Sequence, residues 1–389
     1  MLRFLTAGES HGPSLVAVLE GIPAGLDLGL DDIDHELKRR QHGYGRGGRM
    51  KIENDRVELL AGVRHGRTLG SPIAMRIANR DWPHWSTAMA IEPLATPEED
   101  RKAVTRPRPG HADLAGALKL GVHDARDVLE RASARETTAR VAVGAVCRRL
   151  LREFGIVVRS HTVAVGDAAH PPGHEAAWEE IEAAEGSPLR CADAALEQRM
   201  IALIDLAREA GDSIGGVFQV VARGVPPGLG SHTQWDLRLN ARLAAALCSI
   251  QSIKAVSIGD GVEAATAAGS DFHDPIHYDE TGRRFFRSSN HAGGIEGGIS
   301  NGEEIRLRAY VKPLSTLPKP LHSVDLISKE GFEAQVERTD VSAIAAAGVV
   351  GEAMTAIILA EACLAKFGGD SMQETLRNHQ GFVQQLRDF

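Results

Sequence analysis

The sequence predicts a mixed α/β (α+β) fold in a single large domain that spans residues 1–389. Segments with the two-residue alternation of strands and segments with the 3.6-residue spacing of helices mingle along the whole chain. No internal repeat or low-complexity linker divides it. Motifs rich in glycine and charge are scattered between residues 8 and 340, and one integrated domain brings them together more simply than two independent domains.

The strand and helix patterns follow one another along the chain. Strands are predicted at residues 1–6 (an edge strand), 14–20, 57–62, 71–78, 155–166, 213–224 and 304–311. Helices are predicted at residues 31–40, 113–120, 139–154, 235–250 and 341–367, with two surface helices within 168–210. Helix N-caps are predicted at Asp31, Thr96 and Asp113, and Asp340 could be an N-cap of the helix that follows it.

Composition narrows the class of protein. The chain is 43% hydrophobic and 25% charged over 389 residues, which is enough to bury a sizeable core. Its net charge of −8 and aromatic content of 4% argue against a general nucleic-acid binder. Four well-separated cysteines form no CxxC motif, which suits a reducing cytoplasm and predicts no disulfide. We also expect no signal peptide and no apolar run of transmembrane length.

A basic, glycine-rich segment at residues 35–50 contains Arg40, Arg46 and Arg49. Guanidinium groups bind carboxylate or phosphate through paired hydrogen bonds, and glycine lets a ligand approach the backbone. The pattern is typical of a polyanion-binding loop, but also of a solvated basic loop or a nucleic-acid patch. Arg40 lies near the end of a predicted helix, where a cation also complements the helix dipole. Arg46 and Arg49 have less of a structural explanation.

Two histidines occupy turns that could hold a reactive side chain. His11 follows Ser10 in GESHG (8–12), between two predicted strands with rigid neighbours. His111 lies in RPGHAD (108–113) at a predicted helix N-terminus, whose dipole disfavours a protonated imidazole. Each could instead be an ordinary solvated histidine, which is the commoner case for a single example.

Three further motifs could contact a ring or a phosphate. ERASARETTARVAVG (130–144) places small residues beside arginine at a helix entry, which also permits close helix packing. NHAGGIEGGISNG (290–302) is glycine-rich and precedes a strand that leads into KPLST (312–316). In DFHDPIHYD (271–279), Pro275 separates His273 from His277 and prevents a regular helix, so a solvated loop without a metal site is predicted.

Together with RRQHGYGRGGRM (39–50) and ERTD (337–340), these motifs occur in an order that resembles the chorismate synthase family over nearly the whole chain. The resemblance implies a 1,4-elimination of phosphate from 5-enolpyruvylshikimate 3-phosphate that gives chorismate, the last step of the shikimate pathway, with reduced FMN as cofactor. It also implies helices sandwiched between two antiparallel sheets, and a homotetramer. A substrate with two carboxylates and a phosphate would explain clustered arginines in an acidic protein.

The resemblance implies a role at each matching position. His11 would protonate the departing phosphate, His111 would protonate the reduced flavin, and Asp340 would assist flavin N5 in removing the substrate proton. Substrate contacts are implied for Ser10, Arg40, Arg46, Arg49, Ser133 and Arg135. Flavin contacts are implied for Arg131, Ala132, Ser133, Gln251, Ser252, Gly297, Lys312, Pro313, Leu314, Ser315, Thr316 and Arg338, and NADPH contacts for Arg40 and Arg46.

Two departures and two alternatives accompany the resemblance. Position 132 is alanine where the family often has serine, and KPLST differs from the commoner KPTSS-like forms, so side-chain contacts are less secure there. One alternative is an NADPH-dependent flavin reductase as a second activity. The other is an RNA-binding protein that uses the Arg/Gly loop, which the acidic charge and scarce aromatic residues oppose.

Overall fold

The computed structural model describes residues 1–47, 54–93, 102–171, 173–337 and 339–389. Its strands are β1 (Arg3–Ala7), β2 (Ser14–Glu20), β3 (Val57–Ala61), β4 (Val63–Arg64), β5 (Arg67–Thr68), β6 (Ile73–Ala78), β7 (Val157–Val165), β8 (Ala168–Ala169), β9 (Gly216–Arg223), β10 (Ile253–Ile258), β11 (Ile276–Asp279), β12 (Arg284–Arg287), β13 (Ile295–Glu296), β14 (Ile299–Ser300), β15 (Ile305–Val311), β16 (His322–Val324) and β17 (Gly331–Glu333). Its α-helices are α1 (Leu30–Gln41), α2 (Asp113–Leu120), α3 (Arg126–Ala132), α4 (Thr137–Glu153), α5 (Trp178–Ala183), α6 (Ala194–Glu209), α7 (Leu239–Cys248), α8 (Gly269–Phe272), α9 (Ile344–Phe367) and α10 (Met372–Asp388).

Two antiparallel sheets enclose the central helices. The first sheet has the strand order β1-β2-β6-β3, and the second has the order β10-β15-β9-β7-β8. Helices α1 and α4 pack on the first sheet, α9 packs on β7 and β9 of the second, and α4 and α9 cross between them. The predicted mixed fold is confirmed, as is the layering that the family resemblance implied.

Small residues allow the two central helices to approach closely. A Cβ atom on Gly144 of α4 would lie 2.4 Å from the Cβ and 2.6 Å from the Cα of Ala353 on α9, so only glycine fits there. The main hydrophobic core draws on both sheets and extends from Leu2 to Met372. Its largest fully buried side chains include Phe218, Leu15, Leu19, Ile33, Leu37, Ile73, Met75, Ile77, Leu150 and Leu151.

Helix α9 differs from expectation in its apolar character. With a mean hydropathy of 1.7 in its most apolar 18-residue window, it is long and apolar enough to cross a membrane, whereas the sequence was expected to contain no such run. However, 83% of that window is buried inside the protein. The helix is apolar on all sides because it lies between α1, α4, α7 and the second sheet.

The predicted strands are found within three residues at each end, and β1 is an edge strand as predicted. The predicted helix caps at Asp31 and Asp113 are wrong, and so is the alternative interpretation of Asp340 as a cap. Helix α1 begins at Leu30 with Gly29 as its N-cap, so Asp31 lies within the first turn. Asp113 and Asp340 instead bind arginines, which hold a carboxylate more strongly than helix amides do. Thr96 lies outside the described residues.

Two further segments differ from their predictions. The predicted helix at 235–250 is a short 3₁₀ turn (Trp235–Leu237) followed by α7. Residues 271–287, predicted as a loop, contain the β11–β12 hairpin. Asp279 closes that hairpin by accepting hydrogen bonds from the backbone N–H groups of Thr281 (3.1 Å) and Gly282 (3.0 Å). The two surface helices predicted within 168–210 are α5 and α6.

Candidate functional site

The GESHG turn joins β1 to β2 and is held by helix α3. Gly8 has a φ of +104°, and a Cβ atom there would lie 2.4 Å from the carbonyl oxygen of Ser14, so glycine is required. The backbone N–H of Ser10 donates to the carbonyl of Glu130 (3.0 Å). The Ser133 hydroxyl donates to the Ser10 hydroxyl (3.2 Å). The turn is therefore fixed against the start of the 130–144 motif, which brings Ser10 and Ser133 together.

His11 is enclosed by an acid and an aromatic ring. Its Nδ1 lies 2.9 and 3.0 Å from the two carboxylate oxygens of Glu130, which is buried. The imidazole stacks on Trp85 with ring centroids 3.8 Å apart. His11 is therefore not the solvated turn histidine that the sequence left open.

A buried arginine cluster lies behind this turn. The guanidinium of Arg135 binds Asp55 (2.7 Å) and donates twice to Asn79 Oδ1 (3.1 and 2.9 Å). Arg40 donates through Nε to the Thr137 hydroxyl (3.0 Å) and through Nη2 to the Ala134 carbonyl (2.8 Å). Both arginines are buried.

The remaining nitrogen of Arg40 is exceptional. Among the described residues, Arg40 Nη1 is buried without a hydrogen-bond partner, and its nearest carboxylate oxygen, on Asp55, is 3.9 Å away. Burial lowers the pKa of Arg40 to about 9, and the neighbouring charges of Arg135 and Arg46 contribute to the lowering. The side chain remains a cation at neutral pH, and one of its donors meets no acceptor among the described residues.

Arg46 and Asp340 meet at the edge of the same cluster. Arg46 Nη1 lies 3.3 Å from Asp340 Oδ2, and the backbone N–H of Gly47 donates to Asp340 Oδ1 (2.6 Å). A Cβ atom on Gly47 would lie 2.5 Å from the carbonyl oxygen of Thr339, so glycine lets the basic loop approach the ERTD motif. Helix α9 begins at Ile344 with Ala343 as its N-cap, so Asp340 does not cap it. The interpretation of Asp340 as a helix N-cap is therefore wrong.

His111 belongs to a second group, built from RPGHAD and KPLST. Its Nδ1 hydrogen-bonds to Asp113, which also binds the Arg108 guanidinium (2.8 and 3.1 Å). Burial alone would raise the pKa of Asp113, but the bonds from His111 and Arg108 hold it below its ordinary value. Arg108 Nη1 also donates to the Thr316 hydroxyl (2.9 Å). Arg108 therefore ties the two motifs together.

The rest of KPLST contacts the segment after α7. A Cβ atom on Gly110 would lie 3.6 Å from Lys312 Nζ and 3.7 Å from Ser315 Cβ. The Lys312 backbone N–H donates to the Ser252 carbonyl (2.9 Å), and Ser252 has a φ of +70°. The Leu314 carbonyl accepts a hydrogen bond from the Ser213 hydroxyl (2.8 Å). Pro313 lies between Lys312 and Leu314 in the sequence. Lys312 to Thr316 and Ser252 thus lie beside His111.

Glu136 links the two groups. Its carboxylate accepts from Gln251 Nε2 (3.3 Å) and from the Thr6 hydroxyl at the end of β1 (3.0 Å). Gln251 Oε1 is buried without a hydrogen-bond partner among the described residues. Arg131 donates to the carbonyls of Thr6 (2.9 Å) and Gly8 (3.1 Å), so it holds the strand and turn, and Ala132 follows it at the end of α3.

Gly297 stands apart from this arrangement. Gly297 lies in the exposed β13–β14 turn, and a Cβ atom there would meet no other atom within 4 Å. Arg49 and Arg338 lie outside the described residues. No group of three or more His, Cys, Asp or Glu side chains that could hold a metal occurs within the described ranges.

Sequence reasoning missed the groups that hold the reactive side chains. Glu130, Asp55, Asn79, Trp85 and Glu136 were assigned no role. Their partners lie far along the chain: 119 residues separate Glu130 from His11, and 80 separate Asp55 from Arg135. Arg108 and Asp113 could have been found, because an arginine and an acid flank His111 within one six-residue motif.

The site is that of an enzyme that binds a polyanionic small molecule and moves protons. It offers a buried guanidinium with an open donor, and two histidines that are each held by a carboxylate. A sequence model described as "Chorismate synthase" matches residues 2–364. The chain belongs to the chorismate synthase family, lyases that eliminate phosphate in aromatic amino-acid biosynthesis.

Individual relatives agree along the full length. A chorismate synthase from Solibacter usitatus (strain Ellin6076) is 54% identical over 392 residues, with 100% of each chain covered. One from Pelobacter propionicus (strain DSM 2379) is 56% identical over 395 residues, again with 100% of each covered. A crystal structure of chorismate synthase matches with a TM-score of 0.80 and 44% identity, covering 100% of this chain and 99% of the other. The resemblance of the motifs is confirmed.

Proposed function

We propose that this chain converts 5-enolpyruvylshikimate 3-phosphate to chorismate with reduced FMN bound beside the substrate. Arg40 carries the proposal, because its buried Nη1 has no protein acceptor among the described residues. A buried donor without a partner costs free energy, and a carboxylate or phosphate oxygen would complete it with a charge-assisted hydrogen bond. The substrate offers both kinds of oxygen.

Arg46 and Arg135 would share the substrate with Arg40, and Arg49, outside the described residues, would join them. The described part of the cluster combines these three guanidinium groups with the carboxylates of Asp55 and Asp340. Asp55 and Asn79 hold Arg135 rigidly, so little side-chain entropy would be lost on binding. Ser10 and Ser133 would add hydroxyl contacts at the His11 side.

Proton transfer would use His11, His111 and Asp340. The imidazolium of His11 would give a proton from Nε2 to the departing phosphate, because Nδ1 is engaged by Glu130. Asp113 and the Arg108 guanidinium (3.1 Å) both lie against Nδ1 of His111, so Nε2 of His111 would handle the proton on the flavin side. Asp340 would take up the proton removed from the substrate. Its bonds from Gly47 and Arg46 fix its orientation.

Reduced FMN, when bound, would supply the electron density that assists the elimination. The residues fit such a group: Gln251 Oε1 is a buried acceptor without a hydrogen-bond partner among the described residues, and KPLST lies beside Gly110 and Ser252. Arg131 would act by holding the turn at Gly8, with Ala132 and Ser133 next to it. Gly297 and Arg338 would complete the flavin site by resemblance only.

The test is turnover under anaerobic conditions with substrate and photoreduced FMN. Phosphate and chorismate should form together, and neither should form without flavin or with oxidised FMN alone. Full turnover in the absence of flavin would contradict the proposal. Turnover with oxidised FMN plus NADPH, and no separate reductase, would show the additional flavin reductase activity and implicate Arg40 and Arg46 in NADPH binding.

We also propose a cytoplasmic homotetramer, on the basis of the family resemblance. Static light scattering at micromolar concentration should give four times the 41.6 kDa mass of one chain. A mass of one chain under those conditions would contradict the assembly without affecting the proposed chemistry.

A further inference from the structure

Glu130 contacts the His11 turn through both its backbone and its side chain. Its carbonyl accepts from the Ser10 N–H (3.0 Å), and its carboxylate accepts from the His11 N–H through Oε2 (2.8 Å). The same carboxylate lies 2.9 and 3.0 Å from His11 Nδ1. One residue of α3 thereby determines where the imidazole lies.

The carboxylate of Glu130 is ionised at neutral pH. Burial alone would raise its pKa, but the hydrogen bonds from His11 and Arg126 hold it below its ordinary value. Arg126 donates to Oε1 (2.8 Å) and is itself fixed by a bond to the Lys102 carbonyl (2.6 Å). A carboxylate anion only accepts hydrogen bonds, so Nδ1 of His11 must be the donor.

The plane of the imidazole is set by Trp85. The two rings are stacked with an interplanar angle of 23°, and Trp85 Nε1 donates to Asp81 (3.2 Å). Lys102 lies over Trp85 with its Nζ 3.9 Å from the ring centroid, and the guanidinium carbon of Arg126 lies at 5.0 Å. With its plane set by Trp85 and its tautomer by Glu130, the ring has one orientation, with Nε2 as the nitrogen that Glu130 does not hold.

We infer that Glu130 is a positioning residue for His11, one that keeps a proton on Nδ1 and thereby presents Nε2 to the departing phosphate. The inference deepens the proposed function and rests on the role of His11 within it. As the C–O bond breaks, its electron pair leaves with the phosphate, and the Nε2 proton of the imidazolium passes to a phosphate oxygen. The ring remains as the neutral Nδ1–H tautomer, which Glu130 already binds, so no reorientation is needed.

The charged groups around His11 come from several elements. Glu130 and Arg126 lie on α3, Asp81 and Lys102 flank Trp85, and Glu9 precedes His11 in the turn. Glu130 is the acid in direct contact with the ring among the described residues. Its negative charge stabilises the imidazolium, so its removal should weaken the charged form selectively.

The first measurement is made on the wild-type protein. In protein labelled with ¹⁵N-histidine, and with the His11 signals assigned by their loss in His11→Ala, the neutral form of His11 should be the Nδ1–H tautomer. A neutral Nε2–H tautomer in the wild-type protein would overturn the inference, whatever the turnover.

The second measurement compares Glu130→Gln and Glu130→Asp with wild type. The glutamine amide cannot accept at both oxygen positions, because Arg126 donates to one and the His11 N–H to the other. Glu130→Gln should lower kcat by about 10–100-fold, the scale for losing the carboxylate partner of a functional histidine, with KM changed less than about threefold. The alkaline limb of its kcat–pH profile should move about one unit or more to lower pH. Glu130→Asp should have a kcat and a pH profile closer to those of wild type than Glu130→Gln has.

Asp127→Asn is the matched control. It removes one carboxylate from an exposed position of the same helix, three residues from Glu130, and should leave kcat and the pH profile unchanged. A Glu130→Gln enzyme with the wild-type kcat and pH profile would overturn the inference. If instead His11→Ala retained full turnover while the tautomer result held, the proposed role of His11 would fail and the positioning by Glu130 would stand.

Discussion

Arg39 and Arg40 are consecutive residues of α1, equally buried, and they have opposite environments. Arg39 donates to carboxylates on three other residues: Glu36 (2.5 Å), Glu185 (2.7 Å) and Glu352 (2.7 Å). Arg40 contacts a hydroxyl and a carbonyl, and its Nη1 has no hydrogen-bond partner among the described residues. Arg39 is bound by carboxylates of the protein, whereas Arg40 has one donor without a hydrogen-bond partner among the described residues.

The pKa values of the two arginines move in opposite directions. Burial alone would lower the pKa of Arg39, but the carboxylates of Glu352 and Glu185 raise it above its ordinary value. Burial lowers the pKa of Arg40 to about 9. The carboxylates around Arg39 join elements of the fold, whereas Arg40, whose nearest carboxylate oxygen is 3.9 Å away on Asp55, would bind an external anion under the proposed function. Around Arg39, the buried Glu352 joins α9 to α1, to Arg148 on α4 and to Ser160 on β7.

The largest expected effect is at Asp340, which belongs to the arginine cluster around Arg40. Asp340→Asn should reduce single-turnover chorismate formation with prereduced FMN by about 10²–10⁴-fold, because an amide cannot take up a proton. Its melting temperature should not change, since the asparagine oxygen can still accept from Gly47 and the side chain caps no helix.

Asp370→Asn, in the exposed segment after α9, makes the same chemical change away from the site and should react at the wild-type rate. His11→Ala and His111→Ala should also lose rate rather than substrate affinity. A wild-type rate for Asp340→Asn would remove Asp340 from the chemistry and would leave the proton to another group.

The carboxylate network around Arg39 is tested by the Arg39→Met variant. This change leaves Glu352 and Glu36 buried with one cation fewer, and breaking a buried ion pair in this way costs about 3–5 kcal/mol of unfolding free energy. Urea unfolding monitored by circular dichroism should show the loss. An unchanged midpoint would mean that the network around Glu352 does not stabilise the fold.

The sequence predicts the strands and helices better than it predicts the difference between Arg39 and Arg40. Alternation and helical spacing locate most strands of the two large sheets and most of the long helices, because residues on one face of each element are buried and recur with its period. The order of the motifs indicates which residues meet in the site. Nothing in the local pattern separates Arg39 from Arg40, because the separation depends on Glu185, Glu352 and Thr137, which lie 97 to 313 residues away.

The same limit explains the wrong cap at Asp340 but not the one at Asp113, whose partner Arg108 lies five residues away. Asp113 and Asp340 precede predicted helices, and the local pattern favours a cap at each. In the structure, Arg108 and Arg46 bind these carboxylates. A carboxylate binds a charged partner more strongly than it binds a helix amide. The position of that partner depends on how the chain folds, and for Asp340 it is Arg46, almost three hundred residues earlier in the basic loop.

Arg40→Met forms a matched pair with Arg39→Met at the neighbouring position. Substrate affinity measured by calorimetry should fall by about 1.5–3 kcal/mol, the scale of one hydrogen bond to a charged group. The free energy of unfolding should change by no more than about 1 kcal/mol, because the lost bonds to Thr137 and Ala134 are offset by removal of a buried cation whose nearest carboxylate oxygen is 3.9 Å away.

Arg46→Ala should weaken substrate binding on the same scale, with the fold intact, because its partner Asp340 is partly exposed. If both variants bound substrate as wild type does, the open donor of Arg40 would not be a ligand contact, and the contrast with Arg39 would lose its functional meaning.

The last comparison concerns the pH dependence of stability. Burial alone would raise the pKa of Glu352, but Arg39 and Arg148 lower it from 4.5 to about 2. Between these values the unfolded chain binds a proton that the folded chain does not, so stability rises with pH in this window. The contribution is complete above about pH 4.5 and is lost as the pH falls toward about 2, at up to about 1.4 kcal/mol per pH unit.

Glu352→Gln should therefore show a shallower fall in unfolding free energy between pH 4.5 and 3 than wild type, since the amide does not titrate. Glu153→Gln removes an acid that is paired with Arg149 at the more exposed end of α4, and its slope should match that of wild type. If the folded state of Glu352→Gln is too unstable at low pH, Glu185→Gln supplies the same comparison, because Glu185 also binds Arg39 and its pKa is lowered as well, burial being outweighed by Arg39. Slopes equal to wild type in both variants would show that these acids keep their ordinary pKa in the folded protein, and the carboxylates around Arg39 would then not be what distinguishes it from Arg40.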